Sequence, residues 1–125
     1  MSGLARKMKK RGVICDPFDI VVVDFPFTDL SVVKRRPAVV LTRHIEFGQS
    51  SGSTIAAMIS APLLSSWPLD FPISDPVIAG LNKPSLVRMK LMTIDLRRVH
   101  AKIGALGAAD QASLTHVIKQ LFPYL

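Results

Sequence analysis

Two short apolar runs rich in β-branched residues, Ile20–Phe25 and Ala38–Leu41, flank a polar stretch that ends Lys34-Arg35-Arg36-Pro37. Runs this short, bounded by proline and polar residues, pack as strands rather than helices. In the first run Ile20, Val22 and Asp24 face one way, and Val21, Val23 and Phe25 the other. Pro26 and the Thr-Asp-Leu-Ser run break that strand. Pro37 cannot donate a ladder hydrogen bond, so it suits the start of the next strand, residues 38–43, which reads as buried on both faces. The pair therefore predicts a hairpin with three cations at one end.

The remaining segments follow the same logic. His44–Ser53 is rich in Gly and Ser and reads as a loop, and Thr54–Ser60 as a third strand. Ala61–Pro68 is a loop containing Trp67, and Leu69–Ile73 a short strand. Ser74–Pro84 is a connection, Ser85–Met92 a further strand, and His100–Leu106 the last extended segment. Within Thr93–Val99, Asp95 is placed to cap a short helical turn. Residues 108–122 form the one clear amphipathic helix: Leu114, Val117, Ile118, Leu121 and Phe122 share a face, and Pro123 stops it. Several short strands closed by one helix predict a small barrel. Met58, Met89 and Met92 read as adaptable core filler.

The 125 residues make one domain, and a mean hydropathy of +0.35 argues against disorder. No apolar run approaches the roughly 18–20 residues of a membrane span. The single cysteine, Cys15, cannot form an internal disulfide, which fits a reducing cytoplasm. The net charge of +7 is uneven: residues 1–12 carry five basic residues and no acid, and the rest of the chain contributes only +2. Residues 1–16 therefore read as a basic arm, which is either a solvated terminus or a phosphate-binding extension. Residues 17–125 read as the domain.

His44, His100, His116 and Cys15 are scattered, so no metal-ligand set is visible, and no glycine-rich phosphate loop exists. No metal and no cofactor is expected. The Lys34–Arg36 cluster leaves two readings open on spacing alone. One is a solvated hairpin loop. The other is a phosphate site, for which arginine offers a planar fork of donors. Phe27 and Trp67 are either packing residues or surfaces on which bases stack.

Three blocks together resemble the MazF/PemK family of toxin endoribonucleases: Asp19–Thr42, with its arginine-proline pair; Thr54–Ala61, TIAAMISA; and Ser85–Leu106, SLVRMKLMTIDLRRVHAKIGAL. The resemblance implies a mainly β, SH3-like small barrel of the CcdB/PemK type with a C-terminal α-helix, assembled as a homodimer in the cytoplasm. It also implies metal-independent cleavage of single-stranded RNA, such as mRNA, and neutralisation by a cognate antitoxin with an acidic tail. Carried over by position, Arg36, Ser60 and Arg88 are the catalytic candidates, and Lys34, Arg35, Thr28 and Arg98 the RNA contacts. Ser60 stands where MazF-like members have threonine. Lys90 stands where one subgroup has an aspartate, and Phe18 replaces the glycine before the first strand. Two other outcomes share the fold: a non-enzymatic gyrase inhibitor of the CcdB kind, and a relative that binds RNA or antitoxin without cutting.

Overall fold

The computed structural model describes residues 13–26, 33–62 and 66–125. Six antiparallel strands form one sheet: β1 (Asp19–Pro26), β2 (Val33–Val40), β3 (Ser53–Ser60), β4 (Phe71–Pro72), β5 (Leu86–Asp95) and β6 (Val99–Ala105), in the order β4-β5-β3-β2-β1-β6. The expected mainly β fold with a C-terminal helix is present. Its sheet is open, with β4 and β6 at the two edges.

Both faces of the sheet are buried, because the strands alternate between two apolar clusters. Ile20, Val39, Ala57, Ile59 and Val87 lie on the face covered by the helix α2 (Ala108–Leu121), through Leu114 and Val117. Val21, Val23, Ala38, Val40 and Ala56 lie on the other, closed by Ile94, Leu96 and Val99. Asp95 accepts the Arg97 N–H and opens the three-residue 3-10 turn Leu96–Arg98, the expected cap. This turn carries the chain from β5 into β6.

Several expected boundaries move, and the strand expected over Ser85–Met92 runs on to Asp95. Strand β2 begins at Val33, so Lys34, Arg35 and Arg36 are strand residues rather than a loop, and Pro37 lies inside the strand. The proline is tolerated because β3 pairs with β2 only at Ala38, Val39 and Val40. The segment 44–53, expected as a loop, contains a π-helical turn His44–Gly48 and a short helix α1 (Gln49–Ser51). The strand expected over 69–73 is reduced to Phe71–Pro72.

One turn design occurs twice. In Asp16-Pro17-Phe18-Asp19 and in Trp67-Pro68-Leu69-Asp70, the fourth residue's N–H donates to the first residue's carbonyl, at 3.1 and 3.2 Å. The closing aspartate then accepts the first residue's N–H on its side chain, at 2.8 and 2.9 Å. Proline second and a positive φ third is the type II pattern, which normally calls for glycine. Here the third residues are Phe18 (φ 75°) and Leu69 (φ 66°). The departure at Phe18 thus occupies a position whose backbone asks for glycine. Phe18 compensates by packing against the helix-side cluster. Relieving a left-handed residue gains roughly 1–2 kcal/mol, and exposing a half-buried ring costs a similar amount. Phe18→Gly should therefore melt near the wild type. Phe18→Ala keeps the strain, loses the ring, and should melt clearly lower; equal melting of the two variants would refute the argument.

Packing begins before Pro17. Cys15 is buried in the second cluster, and burial together with the nearby Asp19 carboxylate pushes its thiol up to about 11. It is a packing residue, not a nucleophile.

Candidate active site

Strand register decides which candidates meet. Ala38 pairs with Val21 on one side and Met58 on the other, Arg36 pairs with Val23, and Met58 pairs with Arg88. Paired residues share a face, as do residues two apart along a strand. Arg36, Ser60 and Arg88 therefore project from the same side of the sheet, the one opposite α2. Lys34 shares it. The β2–β3 ladder stops at Ala38–Met58, so Arg36 and Ser60 lie two residues beyond its end, where the strands are no longer bonded to each other. Both are half-buried. The site is a splayed strand end, floored by apolar side chains and rimmed by cations.

The other candidates are placed differently. Arg35 alternates to the opposite face, where its Nε lies 3.3 Å from Asp24. Arg98 is exposed in the turn just before Val99, which pairs with Val23, itself the β1 partner of Arg36. Its neighbour Arg97 is held by Asp95, whose carboxyl drops to about 2 through that contact. Thr28 and Phe27 lie outside the described residues.

Arg88 is the candidate whose setting differs most from its expected role. Only 5% of it is exposed. Its Nε and Nη2 donate to the two carboxylate oxygens of Asp70, at 3.1 and 2.9 Å. That carboxylate also raises the guanidinium pKa above its ordinary value, so Arg88 stays charged. A buried, two-pronged pair of this kind fixes the position of both groups. Asp70 was missed in the sequence, because the turn that aims it at β5 depends on a left-handed leucine. A charged residue on the buried part of a strand was the available signal, since such a charge needs a counter-ion. Lys90, two residues on, is exposed and holds its Nζ 4.5 Å from the centroid of Trp67.

Among the described residues, no three His, Cys, Asp or Glu side chains cluster as metal ligands. A pocket of about 520 Å³ lies on the opposite side, between α2 and the sheet, lined mainly by apolar residues including Phe18, Leu41, Leu91 and Phe122. It is separate from the arginine and serine face. No helix among the described residues is long and apolar enough to cross a membrane.

The model of the PemK-like, MazF-like toxins of type II toxin–antitoxin systems matches residues 16–122, and the chain belongs to that family. No curated protein sequence matches it. Among solved structures it is similar to the MazE–MazF complex from Deinococcus radiodurans, with a TM-score of 0.69 at 16% identity over 89% of this chain and 98% of that one. It is similar also to the toxin MazF-mt6 of Mycobacterium tuberculosis, with a TM-score of 0.64 at 23% identity over 84% and 96%. A mycobacterial endoribonuclease in complex with its cognate antitoxin gives a TM-score of 0.67 at 10% identity over 87% and 95%. At these identities the structures speak for the fold, and the family match speaks for the toxin class.

Proposed function

We propose that this MazF-like toxin is a metal-independent endoribonuclease that cleaves single-stranded RNA, leaving 2′,3′-cyclic phosphate and 5′-hydroxyl ends. The observation that carries the reading is the shared face of Arg36 and Ser60 at the open β2–β3 end. In this chemistry the 2′-hydroxyl gives up its proton as its oxygen bonds to phosphorus, the bond to the 5′ oxygen breaks, and that oxygen takes up a proton as it leaves. Negative charge grows on the phosphoryl oxygens. Arg36 supplies a fixed cation and a fork of donors for them, and the Ser60 hydroxyl supplies one more donor. Lys34 contributes long-range attraction of the strand. Arg88 acts indirectly, from its buried pair with Asp70. The partner that silences the toxin is an antitoxin whose acidic tail competes for the same basic rim, and the active form is a cytoplasmic homodimer.

The test is incubation of the purified protein with single-stranded RNA in EDTA, with analysis of the product ends. Intact RNA would sink the proposal. Ser60→Thr, which restores the family's hydroxyl residue, should cleave as the wild type does. Ser60→Ala loses one donor and should be slower by about tenfold or more. Full activity of Ser60→Ala would remove this strand from the mechanism. A second reading, RNA binding without cleavage, has the burial of Arg88 on its side; binding with no product in the same assay would establish it.

A further inference from the structure

We infer that Trp67 is a pre-positioned nucleobase-stacking surface at the border of the candidate site, and that the residues around it exist to hold it there. The inference rests on the ribonuclease reading and adds to it a means of gripping the strand.

The sole tryptophan of the chain is 41% exposed, so a large aromatic surface faces solvent. It does not serve the core. Its position is nevertheless fixed three times over. The Trp67 N–H donates to Asp70 Oδ2 at 2.9 Å, and the Trp67 carbonyl accepts from the Asp70 N–H at 3.2 Å. Asp70 is tied in turn to β5 by the buried Arg88 pair. The ring is held by Lys90, whose ammonium lies 4.5 Å from its centroid. Arg88 and Lys90 sit two apart on one strand, so Asp70 takes hold of the Trp67 backbone while Lys90 takes hold of its ring.

The turn carrying Trp67 holds Leu69 at a φ of 66°, a conformation that costs free energy in an L-residue. Strain of this kind persists where surrounding contacts impose it, as the Asp70 pair does here. The direction of the device follows from register: Arg88 pairs with Met58, two residues from Ser60, on the face that also carries Arg36. An indole tethered to that face through Asp70 and Arg88, with a cation over one side of its ring, matches a single-stranded nucleotide: the other side of the ring takes a base and the ammonium a neighbouring phosphate. Stacking of this kind is tolerant of base identity and is recognised by its π-face. Lys90, where a carboxylate of one subgroup is replaced, thereby has a binding use.

Because Trp67 is the sole tryptophan, emission excited at the red edge, where Tyr124 does not absorb, reports on it alone. Random-sequence 2′-O-methyl oligoribonucleotides lack the attacking hydroxyl and can be titrated onto the full-length protein without cleavage. End-labelled oligomer anisotropy measures binding independently. The expected result is quenching of Trp67 emission with the same midpoint as the anisotropy change. Trp67→Ala should raise the oligomer Kd and the KM for RNA cleavage by about tenfold while kcat changes little, and Trp67→Phe, which keeps a π-face, should recover most of the loss. Oligomer binding with silent Trp67 emission and an unchanged KM in Trp67→Ala would overturn this inference and leave the ribonuclease reading intact. Neither binding nor cleavage by the wild type would overturn both.

Discussion

Arg36→Ala should lose about 10²–10³-fold in the rate of RNA cleavage, the magnitude seen when one charge-stabilising donor is removed from a phosphoryl or acyl transfer site. The residue is half-buried on a paired strand, so its backbone position is set before substrate arrives. Arg36→Lys keeps the charge but loses the planar fork, and should fall between the two. Circular dichroism melting must accompany the assay, because Arg36 also belongs to the β1–β2 ladder opposite Val23. A folded Arg36→Ala protein that cleaves at the wild-type rate would exclude the residue from the chemistry.

The largest stability effect should come from a residue far from that chemistry. Asp110, in the first turn of α2, is 2% exposed. Its carboxylate accepts the Ser74 N–H at 2.9 Å, the Ser74 hydroxyl at 2.9 Å and the Asp75 N–H at 3.2 Å. It pins the loop that follows β4 onto the helix. Farther along that loop, a Cβ at Gly80 would run into the Ile103 carbonyl of β6. Asp110→Ala removes the buried charged acceptor that these three donors share and leaves a gap where the carboxylate sat. Losing the shared hydrogen bonds to a buried carboxylate makes the expected loss roughly 3 kcal/mol, or about 10 °C in melting temperature for a domain of this size. Asp110→Asn should fall between, since its amide can face Ser74 with an oxygen but must turn a donor toward one of the N–H groups. Thermal melting that places the alanine variant beside the wild type would refute the role.

Strand identities were legible because β-branched runs broken by proline and glycine are a local signal, and the helix because its apolar spacing is. The extent of β2 was not. Lys34, Arg35 and Arg36 look like loop residues by composition, and they form strand only because β1 offers its ladder to them. The π-helical turn at His44–Gly48 has no polar or apolar period to betray it. At the site, the arginine-proline pair and the serine strand could be located by pattern, and register then showed that they share a face. The Asp70–Arg88 pair could not be located, because its partners lie eighteen residues apart and meet through a turn with a left-handed leucine. Asp110 was hidden for a similar reason: a first-turn aspartate usually serves its own helix, and this one serves a loop thirty-five residues upstream.

The pairing of β1 with β6 has a consequence for how the molecule comes into being. Val21 faces Lys102 and Asp19 faces Ala105, so the first strand of this sheet pairs with the last of its strands in chain order. Contacts between such distant segments close slowly, since the loop entropy is spent before any bond repays it. A chain emerging from the ribosome can form the β1–β2 hairpin early, but until β6 arrives that hairpin keeps an unpaired apolar edge. Synthesis interrupted before residue 99 would therefore leave that edge bare, and the sheet is completed only once β6 has been made.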